Sequence, residues 1–277
     1  MAGLLKDVLK TVEHYRNLYP HYGDLLDILE EILILRGRHI RNMQELPFQV
    51  DEQLINAKMM GGLPLLDLAT AEFKINQPKT YFLELLGIAE KRVPEETREI
   101  IKQLEDGSLD YERLLRDSFC GEDLELIEEE QDEDTFDLIS LFVEESLRPA
   151  LEKVVDKYGA VIAGYEWNEG YCPVCGKEPK IGQIRDDEGG RYLYCHQCGY
   201  EWPFRRIKCP FCGNEEQQSL AYFTVEGDER YRVDVCNECK RYIKIVDFRT
   251  TEETANLDVE DIATLHLDML ANEEGYD

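Results

Sequence analysis

"RYLYCHQCGYEWPFRRIKCPFCG", residues 191–213, places four cysteines within 23 residues. Aromatic residues together with Arg205, Arg206 and Lys208 separate the two pairs. Each pair is a C-x2-C unit, and the unit recurs outward in both directions: Cys172/Cys175, Cys195/Cys198, Cys209/Cys212 and Cys236/Cys239. Nineteen residues separate the first two units and 23 the last two. The first gap fits a zinc ribbon and the second slightly exceeds it. The segment also repeats itself. "CPVCG" followed by "EGGRYLYCHQC" matches "CPFCG" followed by "GDERYRVDVCNEC". Each half therefore reads as knuckle, strand, turn, strand, knuckle.

Two residues between cysteines let one tight turn aim both sulfurs at a single ion. Pro173 and Pro210 stiffen that turn, and Gly176, Gly199 and Gly213 permit the left-handed backbone on which it ends. The last unit has Lys240 in that place, which predicts a looser turn. Two facing knuckles supply four thiolates in a tetrahedron. The sequential grouping puts Cys172, Cys175, Cys195 and Cys198 on one ion and Cys209, Cys212, Cys236 and Cys239 on the other. A cross-braced grouping, first unit with third and second with fourth, is the alternative. The internal repeat favours the sequential scheme, because each half is then self-contained. A tetrahedral sulfur set suits zinc or a single iron equally, so the expected cofactors are two metal ions, iron or zinc. Ribbons this small have little core. A structural ion contributes on the order of 10–16 kcal/mol in zinc-finger peptides, enough to decide whether they fold. Scattered core cysteines are the competing reading, and four identical units argue against it.

The aromatic residues around the knuckles, such as Tyr194, Tyr200 and Trp202, are expected to cover the metal sites. His196, between two cysteines, is expected to point away from the ion. Cys120 stands alone in "RDSFCGED" and reads as a small buried apolar residue. His14, His21, His39 and His266 form no metal-binding pattern.

N-terminal to the cysteine region the periodicity is helical. Leu5, Val8, Leu9, Val12 and Tyr15 recur at three- and four-residue steps, and "YGDLLDILEEILIL" does the same. Pro78 opens "KTYFLELLGIAEKR"; Pro94 opens "EETREIIKQLEDG", which ends on Gly107. "TFDLISLFVEESLRPALEKVVDKYG" predicts one long helix kinked at Pro149. Short β-rich runs follow the change in composition: "RYLYC", "YEWPFRRIKC", "SLAYFTV", "RYRVDVC" and "RYIKIVDF", with turns at "DDEGG" and "EGDE". The tail turns helical again, with Asp258 as N-cap and Ile262, Leu265 and Met269 on one face. The expected fold class is α plus small β: an all-α helical domain (1–163), a first four-cysteine ribbon (164–205), a second four-cysteine ribbon (206–252) and a C-terminal helix (253–277).

The net charge of −28 over 277 residues favours solubility and basic partners. It argues against wrapping nucleic acid or lying on an anionic membrane. The acidic run "EDLELIEEEQDED" (122–134) reads as a solvated helix end or loop, with a docking strip for a basic peptide as the functional alternative. Charges interrupt the apolar N-terminus from Lys6 onward, so no signal peptide is read, and no stretch is long enough to span a membrane. These features predict a cytoplasmic protein, where paired thiols favour metal over disulfides. No Walker A loop, dinucleotide fingerprint, nucleophile elbow or zincin motif is present, and the chain does not read as an enzyme.

"YCPVCG", "GGRYLYCHQCGYEW", "RRIKCPFCG", "VCNECKRYIKIVDF" and "VEDIATLHLDMLANEEGY" together resemble the formate dehydrogenase accessory protein (FdhE) family. The likeness is clearest from about 165 to 277. It implies a cytoplasmic assembly factor that binds the molybdenum- or tungsten-containing, selenocysteine-bearing catalytic subunit of respiratory formate dehydrogenase before twin-arginine export. It also implies rubredoxin-like knuckles associated with iron, carried by the same eight cysteines. A homodimer is left open. Two other readings stand beside it: a nucleic-acid-binding ribbon using Arg191, Arg205, Arg206 and Lys208, and electron transfer through iron knuckles.

Overall fold

The computed structural model describes residues 2–120, 133–185, 189–225, 228–249 and 255–277. The acidic run lies almost wholly outside them, and the two expected turns lie partly outside. The N-terminal part is helical: α1 (Ala2–Leu18), α2 (Gly23–Asn42), α3 (Ile55–Met60), α4 (Asn76–Ala89), α5 (Pro94–Asp106), α6 (Tyr111–Cys120), α7 (Glu133–Glu145) and α8 (Arg148–Ile162). α2 packs against α1, α4 and α8, and α7 against α4 and α6. α5 begins on Pro94 and ends on Gly107, whose φ of 80° places it in the left-handed C-cap.

Several helix ends depart from expectation for local reasons. α4 starts at Asn76, two residues before Pro78. Pro78 sits within the first turn, where its missing N–H has no intrahelical acceptor to lose. The expected kinked helix is two helices, because Pro149 lies in the first turn of α8. α3, six residues long, has no distinct apolar signature in sequence, whereas α6 carries one in Tyr111, Leu114, Leu115 and Phe119 at three- and four-residue steps.

Among the described residues the cysteine region forms six strands: β1 (Ile181–Arg185), β2 (Gly190–Tyr194), β3 (Glu201–Phe204), β4 (Leu220–Val225), β5 (Asp228–Cys236) and β6 (Tyr242–Asp247). They form a single sheet in the order β3-β2-β1-β6-β5-β4. Each half is an antiparallel three-stranded meander, and the halves meet in parallel at β1 and β6, with Ile181 opposite Lys244. Two knuckle-bearing halves thus share one sheet.

The register sorts the two faces. One face carries Ile184, Leu193, Trp202, Ile243 and Ile245 into the main core with Leu85, Phe142, Leu151 and Val154 of the helices. The opposite face presents Tyr194, Tyr231, Val233, Val235 and Val246 to the C-terminal segment. That segment is helical in two pieces, α9 (Leu257–Ala263) and α10 (Leu265–Glu273). The break falls at Thr264, whose hydroxyl donates to the Glu260 carbonyl at 2.6 Å. The expected face is also shifted: Leu257, Val259, Ala263, Leu267 and Ala271 are buried, whereas Met269 is exposed.

Asp258 is not the N-cap. Asn256 caps α9, its side chain accepting from the Val259 amide. Asp258 instead enters a buried charge cluster. Its Oδ2 is 2.6 Å from Arg36 of α2 and 3.3 Å from Arg148 of α8, and its Oδ1 accepts from the Tyr194 hydroxyl at 2.6 Å. Arg36 is also bidentate to Glu145, which accepts from Tyr81. Arg148 pairs with Glu152. Two more polar clusters fasten the tail. Glu260 accepts from Tyr15 and Tyr231, each at 2.7 Å, and buried Lys244 lies 2.6 Å from Asp261 and 2.7 Å from Asp268.

Burial alone would raise the Asp258 carboxyl. Arg148 and Arg36 overcome this and hold it well below the usual carboxylate range. Its folded value is depressed, so its stabilisation is complete above the unfolded value of about 3.9 and fades as pH falls toward the folded value. Asp258→Asn should cost roughly 3–5 kcal/mol in urea unfolding, since it leaves two buried guanidiniums short of a counter-charge. It should also flatten the acid limb of the stability profile below about pH 4. Asn256→Ala, which removes the cap alone, should cost only about 1 kcal/mol.

Candidate metal centre

Each of the four knuckles closes with the same two backbone hydrogen bonds. The amide of the first cysteine donates to the carbonyl five residues on, from Cys172 to Lys177, Cys195 to Tyr200, Cys209 to Asn214 and Cys236 to Arg241. The residue four positions on returns a bond to the first cysteine's carbonyl. That residue needs positive φ: Gly176 has 77°, Gly199 75° and Gly213 74°. Lys240 takes the same conformation with φ of 60°, and its amide reaches the Cys236 carbonyl at 2.9 Å. The fourth turn is therefore closed like the others rather than looser. Its side chain carries a left-handed strain that glycine would avoid, on the order of 1–2 kcal/mol.

Knuckles face one another in sequence order. Cys172, Cys175, Cys195 and Cys198 form one group and Cys209, Cys212, Cys236 and Cys239 the other, with the sulfurs of each group all within 4.8 Å of one another. The fold thus selects the sequential grouping over the cross-braced one. In the first group the Cys172–Cys198 and Cys175–Cys195 sulfurs are 3.4 Å apart. In the second, Cys209–Cys239 and Cys212–Cys236 are 3.7 Å apart. A regular tetrahedron with metal–sulfur bonds of about 2.3 Å has edges of about 3.8 Å, so both groups have the size to hold an ion. No disulfide joins any of the eight.

In the first group burial pushes the Cys172 and Cys198 thiols up, whereas at Cys195 hydrogen bonds from the other three sulfurs overcome burial and draw the thiol down, so the four share fewer than four negative charges without an ion. A bound divalent ion would supply the missing positive charge. At Cys236 burial is outweighed by the Cys239 amide, the Asn214 side chain and the Glu238 amide, and the thiol is drawn down to about 7.

The two groups differ in surroundings. All four cysteines of the first are buried, and they belong to the main core that joins the ribbon to the helices. Leu65 and Leu66 donate backbone hydrogen bonds to Pro173 and Val174 of the first knuckle. Arg148 donates to the Cys195 and His196 carbonyls and to the Tyr194 hydroxyl. In the second group Cys212 is exposed and Cys239 half-buried. The chain's last residues brace this group: Asp277 bonds Lys240 and Tyr242 through the backbone, and the Tyr276 hydroxyl donates to Asn237. The groups approach each other at Gly170, where a Cβ would lie 1.7 Å from the Pro210 carbonyl oxygen.

The remaining residues singled out in sequence take these places. His196 faces Glu144 at 3.8 Å, away from the sulfurs. Trp202 is buried and donates to the Glu169 carbonyl; Tyr200 packs on α8 at Gly159. Cys120 ends α6, and its side chain lies outside the described residues. The supporting roles of Arg148 and Tyr276 carry no sequence signal, since a lone arginine and a terminal tyrosine are common on surfaces.

The family description "FdhE, central domain" matches residues 171–206, and "FdhE, C-terminal domain" matches 207–277. A "Protein FdhE homolog" of Aquifex aeolicus (strain VF5) is 31% identical over 273 residues, covering 97% of this chain and 90% of that protein. The chain belongs to the FdhE family. A "Protein FdhE" of Escherichia coli O157:H7 (strain EC4115 / EHEC) is 34% identical over 121 residues, 43% of this chain and 38% of that relative. The crystal structure of the FdhE protein from Pseudomonas aeruginosa has the same fold, with a TM-score of 0.70 at 23% identity over 97% of this chain and 90% of that one. The expected fold class, an all-α N-terminal domain followed by two four-cysteine knuckle modules and a helical C-terminal segment, therefore agrees with the family, the two modules sharing one sheet and the tail forming two helices.

Cys172→Ala and Cys209→Ala should each lower the bound-metal content from two ions to one by elemental analysis, leaving the helical far-ultraviolet signal in place. With both sites loaded, a chromogenic chelator should remove the ion of the exposed second group before that of the buried first. The Cys209→Ala protein should therefore lack the fast phase. Lys240→Gly should raise stability by about 1 kcal/mol in chemical unfolding, as the left-handed strain is relieved.

Proposed function

We propose that this protein assists the assembly of formate dehydrogenase by holding the enzyme's catalytic subunit during its maturation, with the eight knuckle cysteines as ligands of two metal ions, zinc or iron. The observation that carries this reading is that similarity to an FdhE homologue runs through 97% of the chain. The matched stretch spans the helical body as well as both ribbons, not just one ribbon. In this reading residues 1–163 form the scaffold, the ribbons 164–205 and 206–252 carry the ions, and 253–277 fasten them together.

The physical features fit a holding protein. The first group is enclosed in the main core and supplies rigidity. The second reaches the surface through Cys212 and can meet a partner. The charge of −28 steers a basic surface of the client toward the body. Among the described residues no helix is long and apolar enough to cross a membrane. Exposure of Cys212 also favours a second role if iron is the resident ion, since an iron at a surface site exchanges electrons more readily than a buried one.

The test is copurification. Tagged protein from cells expressing formate dehydrogenase should recover the immature catalytic subunit, and deletion of the gene should lower formate oxidation. Absence of the subunit together with unimpaired oxidation would refute the proposal. Anaerobic purification should distinguish the metals, iron giving a red protein that bleaches on reduction and zinc a colourless one.

A further inference from the structure

The face of the sheet that enters the main core changes character beyond β6. From β3 to β6 it carries apolar residues, with Arg191 of β2 as the exception. On β5 and β4 the same register places Arg232, Asp234 and Tyr222 there, Tyr222 exposed and the other two half-buried. The linker 205–211 folds over one side and closes a cleft of about 210 Å³ beside the second cysteine group. Five cationic side chains line it, Arg191, Arg206, Lys208, Arg232 and Arg241, against one carboxylate, Asp234. This is a concentrated positive site on a chain of net charge −28.

Compensation of these cations is uneven, and Cys209 and Cys236 of the second cysteine group also line the cleft. Arg191 and Arg232 share the Asp234 carboxylate, at 3.2 and 2.8 Å. Arg191 is buried and donates to the Arg205 and Lys208 carbonyls, while its Nε finds no acceptor among the described residues. The Lys208 ammonium donates to the neutral Asn168 carbonyl. Arg206 is exposed and makes no ion pair or hydrogen bond among the described residues. Arg241 is satisfied by Glu178 and stacks on Phe211 at 3.7 Å. A buried or crowded guanidinium short of negative charge draws an anion.

The neighbouring strand says what kind of anion. β4 is the outer strand of the sheet. Ala221, Tyr222 and Thr224 on it are exposed, Tyr222 to 65%. An open strand edge accepts an extended peptide, whose alternate side chains then fall on one face. That face is the basic cleft. The volume is below the roughly 300 Å³ at which small-molecule sites begin, and it suits one or two side chains. Five cations in one small cleft within an acidic surface also make a poor track for a nucleic-acid backbone.

We propose that the β4 edge and the Arg206–Arg232 cleft form a docking site for an extended acidic segment of a partner polypeptide, its backbone pairing with β4 and its carboxylates entering the cleft. The partner is the proposed client, the formate dehydrogenase subunit, and in that naming the inference rests on the assembly reading.

The experiment uses the full-length, metal-loaded protein and a fluorescein-labelled peptide alternating glutamate with valine, followed by anisotropy. The peptide should bind, its lysine counterpart should not, and added salt should weaken binding. Arg206→Glu should weaken binding by at least about tenfold and Arg206→Lys should largely retain it. Arg206 has no structural partner to lose among the described residues, so both variants should keep wild-type metal content and circular dichroism. No binding, or binding undiminished in Arg206→Glu, overturns the proposal. So does full displacement by inorganic phosphate, which would make the cleft a small-anion site, and so does preference for a single-stranded oligonucleotide. The peptide titration needs no client and stands if formate dehydrogenase proves not to be the partner. Loss of peptide binding in Arg206→Glu with undiminished recovery of the catalytic subunit would remove the cleft as that client's seat.

Discussion

A carboxylate held between two buried guanidiniums organises this molecule. Asp258 on the short helix α9 neutralises Arg36 from α2 and Arg148 from α8 while accepting from Tyr194 of the sheet. Separately buried, each charge would be costly; together, with Glu145 and Glu152 as further partners, they are satisfied. The same Arg148 holds the carbonyls of the second knuckle. Helical scaffold, first cysteine group and C-terminal segment therefore meet at one electrostatic junction, and none can shift without exposing a charge to a partnerless interior.

The junction explains why the two cysteine groups, alike in sequence, differ in setting. The first is pressed against helices on the face that carries Leu193 and Trp202, and its sulfurs are buried. The second lies where that face turns polar and is braced by the last residues of the chain, Tyr276 and Asp277. An ion in the first place would be part of the core. One in the second would sit at a surface, next to the cleft where five cationic side chains gather. One repeated motif thus occupies an enclosed position and an accessible one.

Much of the local chemistry was legible in the residues. The knuckle turns follow from C-x2-C with glycine at the position of positive φ, and the β5 pattern "RYRVDVC" already alternates inward Tyr231, Val233 and Val235 with outward Arg232 and Asp234. Elsewhere a longer-range partner decided. Lysine in place of glycine at position 240 predicts a loose turn, yet the hydrogen bonds of the closed knuckle force Lys240 into the same left-handed conformation as the glycines. Asp258 has the composition of a cap, but two distant arginines claim its carboxylate and leave Asn256 to cap the helix.

By itself, the sequence determined the four knuckles, the repeat that favours their pairing, the helical character of the first part and the excess of negative charge. These depend on residues a few positions apart, whose backbone geometry and periodicity act locally. Tertiary structure alone decided that the two halves join in parallel at β1 and β6 into one sheet, that one cysteine group is enclosed and the other exposed, and that scattered basic residues converge on a single cleft. Such outcomes turn on strand pairing and charge burial between residues far apart in the chain, as between Ile181 and Lys244. No short window along the sequence contains both partners.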